Sequence, residues 1–296
     1  MVKAAWVFPG QGSQAIGMGQ DLADLPLAQE RFAQADQILG WPIMGVIQDG
    51  EDKVSQTRYT QPCLYVVESI LADLLKGQGQ VPAAVAGHSL GEYVALYSAG
   101  VFDFATGLNL VKQRAELMSA ASDGMMAALL GFDADQLQAE LATTPDVVLA
   151  NDNNPGQVVI SGTPAGVEAV MARVKAKRAA KLNVSGAFHS PLMATAAETF
   201  AAILAPIPFA DAKVSVLSNV DPTPSTQAEV LKQRLVQQMT GSVRWREITL
   251  AFPGLDIDTV IEVGPGNVLT GLVKRTCKDL NLVNVGNLAQ LQALPS

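Results

Sequence analysis

At 296 residues, about half of them apolar, the chain is long enough to bury the core of one large domain or two modest ones without disulfide or metal staples. Its 28 acidic against 20 basic residues leave a formal charge of −8 with no basic block near either end, which argues against nucleic acid as the main ligand. No apolar stretch approaches the roughly 20 residues that span a bilayer, and the apolar start at Ala4 to Phe8 is broken by Pro9 and Gly10, too early for a secretion signal. Cys63 and Cys277 lack Cys-x-x-Cys or zinc spacing, so a cytoplasmic protein with reduced thiols and no metal site is expected.

In chain order, residues 4–8 read as a strand, and Pro62 opens a helical pattern (Leu64, Val67, Leu71, Leu74, Leu75) that Gly77 to Gly79 ends. A strand at 83–86 leads into a helix that stops at Gly100. Asp103 reads as the N-cap of a helix reaching about Ala121. The middle changes grammar: strand 125–130, helix 134–141, strands 147–150 and 158–161, helix 164–177, strand 180–184. This β-α-β-β-α-β order is ferredoxin-like. The expectation is an α/β fold: a large α/β-hydrolase-like parallel-sheet domain of residues 1–123 and 186–296, carrying an inserted ferredoxin-like subdomain at 124–185. Strands at 214–217 and 259–263 return to the large sheet. Two positive clusters, Arg173, Lys175, Lys177, Arg178, Lys181 and Arg244, Arg246, Lys274, Arg275, Lys278, read either as solvated helix faces or as docking surfaces for an acidic partner.

The strand at 83–86 runs directly into Gly87-His88-Ser89-Leu90-Gly91, a G-x-S-x-G motif in the strand-turn-helix context that gives it meaning. The glycines permit a tight turn that exposes the Ser89 hydroxyl at a helix N-terminus, where developing negative charge is favoured. The alternative is an ordinary glycine-rich turn whose serine is an N-cap. A serine nucleophile needs a base, and the chain has two histidines. Neighbours on a sharp elbow point apart, which leaves His88 to packing or hydrogen bonding and His189 as the base. His189 precedes Ser190 as N-cap and Pro191 as first helical residue, so a positive helix end would keep its imidazole neutral.

On the helix that begins at Asp103, Leu110, Val111, Leu117, Met118 and Ala121 all fall within about 60° of Arg114. A cation on an apolar face is costly unless it is paired, and Lys112 and Glu116 lie on the opposite side. Its anion is either an internal Asp or Glu or a substrate carboxylate, which a guanidinium grips with two parallel hydrogen bonds.

With Phe8-Pro9-Gly10-Gln11-Gly12-Ser13-Gln14, Gly87 to Tyr93, Gln113-Arg114, Ala187-Phe188-His189 and Glu262-Val263-Gly264-Pro265-Gly266 in order, the chain resembles the malonyl-CoA:acyl carrier protein transacylases over nearly its whole length. The resemblance implies ping-pong transfer: Ser89, deprotonated by His189, takes malonyl from malonyl-CoA and passes it to the phosphopantetheine thiol of holo acyl carrier protein, supplying fatty acid synthesis. It implies no cofactor of the enzyme's own. It also implies an oxyanion hole from the backbone N–H groups of Gln11 and Leu90, Arg114 on the malonyl carboxylate, and the backbone carbonyl of Gln238 orienting His189. Phe188 would crowd branched acyl groups. The chain departs from relatives at Gly241-Ser242, where Asn-Pro is common, which loosens the Gln238 assignment. Glu262 to Gly266 lacks the ending of a Walker loop and reads as a structural turn.

Three other readings stand beside this one. A free-standing acyltransferase of a polyketide synthase would use the same chemistry. A serine thioesterase or hydrolase also carries G-x-S-x-G, but its histidine normally lies near the C-terminus, whereas about a third of this chain follows His189. A scaffold without activity would not need Ser89 and His189 together.

Overall fold

A computed structural model of the chain describes residues 3–121, 123–184 and 186–294. The strands, in chain order, are β1 (Ala4–Phe8), β2 (Ala84–Gly87), β3 (Met125–Phe132), β4 (Val147–Asn154), β5 (Gln157–Gly162), β6 (Ala176–Lys181), β7 (Ser215–Leu217), β8 (Thr259–Val263) and β9 (Asn281–Val285). Five of them form a sheet in the order β7-β2-β1-β8-β9. Every pairing in it is parallel. Helices cover both faces, which is why β1, β2 and β8 are continuous buried runs rather than alternating ones. Trp6 and Phe8 pack on the core beneath the Thr57–Gly77 helix, whereas Ala5 and Val7 join a second core with Trp245, Ile248 and Phe252.

The other four strands form an antiparallel sheet in the order β4-β5-β3-β6, the ferredoxin-like arrangement. The Ala134–Thr143 and Pro164–Arg173 helices close its core over Leu129, Val158, Ile160 and Val170. Two backbone hydrogen bonds tie this sheet to the segment that leads into the Trp245–Ala251 helix of the large domain: Val243 N–H to Ala150 O at 2.8 Å and Asp152 N–H to Val243 O at 2.9 Å. The chain is thus a parallel-sheet α/β fold with a small antiparallel-sheet subdomain.

Several elements lie elsewhere than expected. The helix expected to open at Pro62 opens at Thr57 and carries Pro62 inside it. With 15 of its 21 residues buried, packing outweighs the single hydrogen bond that proline removes. β6 starts at Ala176 and ends at Lys181, not at 180–184, and the preceding helix stops at Arg173 rather than 177. Its sequence, Ala-Lys-Arg-Ala-Ala-Lys, has little intrinsic strand preference; it holds because it is the exposed edge of the sheet, where lysines also discourage further pairing. β4 runs past the expected end at 150 through Asn151 to Asn154, with irregular register against β5. β9, half-exposed at the sheet edge, was not expected. The subdomain end expected at residue 185 falls outside the described residues.

Candidate active site

β2 delivers the chain into a turn with no room for a side chain on either side of the serine. A Cβ on Gly87 would lie 1.9 Å from the Gly91 carbonyl carbon, and one on Gly91 would lie 2.0 Å from the Phe8 carbonyl oxygen. Ser89 sits between them at φ 52°, and His189 at φ 57°, two of the four non-glycine residues with positive φ among those described. Such conformations cost about 1–3 kcal/mol each and persist where surrounding structure over-determines them.

The Ser89 Oγ lies 2.8 Å from His189 Nε2. On the far side of the ring, Nδ1–H donates to the Gln238 carbonyl at 2.9 Å, with the Gly241 carbonyl at 3.2 Å as a second acceptor. Two carbonyls fix the tautomer, so Nε2 turns its lone pair toward the Ser89 hydroxyl. His189 is buried, and its pKa is pushed down to about 3, first by burial and then by the charge of Arg114. Both causes favour the neutral imidazole. Ser190 and Pro191 do open a helical turn there, with the Ser190 hydroxyl accepting the Leu192 N–H.

Arg114 is 1 % exposed. Its Nη1 donates to Gln61 Oε1 at 2.7 Å, and its Nη2 to Ser89 Oγ at 3.0 Å and Gln238 Oε1 at 3.2 Å. The guanidinium carbon stands 5.4 Å from the centre of the Tyr93 ring. Among the described residues no carboxylate forms an ion pair with it. Burial lowers its pKa, an effect opposed by Tyr93 and Glu92. Of the two counter-ions considered from sequence, the internal acid is therefore absent from contact.

Gln11 and Leu90 both line the cavity, and neither backbone N–H is engaged by another described residue. The Ser89 N–H is engaged: it donates to Asn219 Oδ1 at 2.7 Å, while Asn219 Nδ2 donates to the Gly87 carbonyl at 2.6 Å. His88 points away from the nucleophile. Its Nε2 meets Asn153 Oδ1 at 2.9 Å, and its ring lies 5.6 Å from that of Trp245. Phe188, Met118, Met126 and Leu182 wall a cavity of about 90 Å³ over Ser89.

Other sequence features make contacts of their own. The Glu262 carboxylate accepts the Leu269 N–H at 2.9 Å and the Thr270 N–H at 2.7 Å, so an internal anion occupies the N-terminus of the Val268–Thr276 helix. In the two positive clusters Arg173, Lys181, Arg244 and Arg246 pair with Glu140, Glu168, Glu247 and Asp152. Among the described residues no helix is long and apolar enough to cross a membrane, and no three His, Cys, Asp or Glu side chains gather as a metal site. Sequence reasoning missed Gln61, Asn219, Glu92 and the Gln238 side chain. Gln61 alone left a trace, as a polar residue on a helix face that buries Leu64, Val67 and Leu71.

Three kinds of comparison bear on this geometry. The acyl transferase domain family matches residues 5–294. A malonyl CoA-acyl carrier protein transacylase of Synechocystis is 60% identical over 293 residues, covering 99% of this chain and 100% of that protein. Its crystal structure superposes with a TM-score of 0.98 over 99% of this chain and 100% of that one. A polyketide-biosynthesis malonyl CoA-acyl carrier protein transacylase of Bacillus subtilis is 42% identical over 93% of this chain and 97% of its own length. A malonyl-transacylase solved in complex with a type II polyketide acyl carrier protein has a TM-score of 0.92 at 37% identity, covering 98% of each chain.

Proposed function

The chain belongs to the acyl transferase domain family, among the malonyl-CoA:acyl carrier protein transacylases, and on that premise we propose how its residues move a malonyl group from coenzyme A to the carrier protein. Ser89 Oγ attacks the thioester carbonyl as His189 Nε2 takes its proton, across the 2.8 Å contact already made. The carbonyl oxygen becomes an oxyanion held by the N–H groups of Gln11 and Leu90, a kind of contact worth roughly 10²–10³ in rate per donor. As the tetrahedral carbon collapses, the carbon–sulfur bond breaks and His189 returns the proton to the departing CoA thiolate. The second half runs in reverse. His189 deprotonates the phosphopantetheine thiol, sulfur attacks malonyl-Ser89, and Ser89 leaves with the proton. The backbone carbonyl of Gln238, seconded by that of Gly241, takes the place an aspartate holds in a Ser-His-Asp triad.

The observation that carries the malonyl assignment is Arg114: a buried guanidinium with no carboxylate partner among the described residues, one of whose N–H groups already reaches Ser89 Oγ at 3.0 Å. A carboxylate bound there must lie close to the acylated oxygen, which suits a diacid with a single methylene between its carbonyls. The site uses no cofactor of its own, CoA being substrate and phosphopantetheine the carrier's. A cytoplasmic setting, where both substrates would be met, fits this reading. The 60% identity to the Synechocystis protein against 42% to the polyketide one favours supply of fatty acid synthesis.

The test is turnover of malonyl-CoA with and without holo carrier protein, by wild type and Ser89→Ala. Thiol release that depends on the carrier, with a malonyl mass on the wild-type enzyme and none on the variant, is expected. Equal release without an acceptor would make the chain a hydrolase, and an adduct persisting in Ser89→Ala would move the nucleophile.

A further inference from the structure

Glu92 lies in the first turn of the Gly91–Ser98 helix with no exposure, and a carboxyl group buried that completely must be held for a reason. Its Oε2 accepts the Asn219 N–H at 3.2 Å and a hydrogen of Gln238 Nε2 at 2.8 Å. The other Nε2 hydrogen goes to the Ser89 carbonyl at 2.8 Å. Both hydrogens being taken by acceptors, the amide oxygen is left facing Arg114 Nη2 at 3.2 Å. One amide therefore stands between carboxyl and guanidinium.

We propose that Glu92, acting through the side-chain amide of Gln238, is a positioning residue that holds Arg114 ready for a substrate carboxylate without occupying it. The inference rests on the malonyl-transfer reading. A carboxylate in direct contact would saturate the guanidinium and compete with substrate. An amide with its N–H side pinned by two acceptors offers the arginine only a neutral oxygen, which fixes its direction while leaving its charge for the ligand. The same carboxyl group steadies two further parts. Gln238 is the residue whose backbone carbonyl orients His189, and Asn219 is the residue whose side chain holds the Ser89 N–H and the Gly87 carbonyl. Replacing Glu92 by an amide would let the Gln238 side chain turn over, presenting N–H groups to the guanidinium.

The experiment is single-turnover acylation of Ser89 by malonyl-CoA and by acetyl-CoA, followed by intact mass, in wild type, Glu92→Gln and Gln238→Met, with thermal unfolding as the check on folding. The malonyl rate is expected to fall roughly tenfold and the acetyl rate far less, the scale of one lost charge-assisted hydrogen bond. If Glu92→Gln does not fold, Gln238→Met decides alone, since it is nearly isosteric and keeps both Glu92 and the backbone carbonyl. A malonyl-to-acetyl ratio unchanged from wild type, including the case where both rates fall in parallel, overturns the proposal. A wild-type enzyme that acquires no malonyl group would instead refute the transfer reading beneath it.

Discussion

His189 must stay unprotonated to act as a base, and its burial and the nearby cation work in the same direction: desolvation and the Arg114 charge each disfavour the imidazolium and together push the pKa to about 3. The rate of Ser89 acylation is therefore expected to stay flat from about pH 8 down to about pH 5, with no inflection near the ordinary histidine value of about 6.5. An inflection there, in single-turnover acylation, would contradict the burial argument. The same shift makes stability depend on pH. Between about 6.5 and about 3 the unfolded chain binds a proton that the folded one refuses, so this contribution is complete above about pH 6.5 and is lost as pH falls. Urea unfolding at pH 7 and pH 5 is expected to show His189→Gln losing about 2 kcal/mol less than wild type over that step. Equal losses would mean His189 titrates normally in the folded state. The three candidate site residues that the structure brings together were legible because each breaks a pattern: a serine between two glycines, one of two histidines, an arginine on an apolar face. Gln61 breaks one only faintly, as a polar residue on a buried helix face, and Asn219 and Glu92 break none, since an uncharged amide, or an acid beside the elbow, reads from sequence as ordinary polarity.

The elbow, as an element, depends on backbone meeting backbone. A methyl group at Gly91 would fall 2.0 Å from the Phe8 carbonyl oxygen, and the contacts around it are main chain that cannot rotate aside. Gly91→Ala is accordingly expected to cost at least about 3 kcal/mol, read as a large drop in melting temperature. A variant melting within a few degrees of wild type would show that the turn can relax. The central strands of the parallel sheet were readable because strands buried on both faces are largely apolar; β1, β2 and β8 lie within a residue or so of expectation. β6 and β9 were not, being edge strands whose residues face water. Polar Asn151 to Asn154 concealed the second half of β4 for a different reason. There a strand carries site residues: Asn151 lines the cavity and Asn153 holds His88. Its register irregularities are the kind of bulge that redirects side chains beside active sites.

Across the whole molecule, neither sheet alone builds the site. The parallel sheet and its helices supply Ser89, Arg114 and Gln61. The subdomain contributes Met126, Asn151 and Leu182 to the cavity, and the crossing back to the large sheet brings Phe188 and His189. The fold class was legible because the change from parallel to antiparallel grammar is written in helix and strand order. The way the small sheet joins the large domain was not, because the backbone bonds between Val243 and β4 leave no mark in side-chain pattern. What this assembly accomplishes is to bring a buried guanidinium, with no carboxylate partner among the described residues, to 3.0 Å from the Ser89 hydroxyl. The most direct measurement is intact mass after a short exposure of wild type and Arg114→Ala to equal malonyl-CoA and acetyl-CoA. Wild type is expected to carry the malonyl mass almost alone, and Arg114→Ala to lose most of that adduct and carry acetyl in greater proportion. The same malonyl-to-acetyl ratio on both proteins would contradict the assignment of Arg114 to the substrate carboxylate.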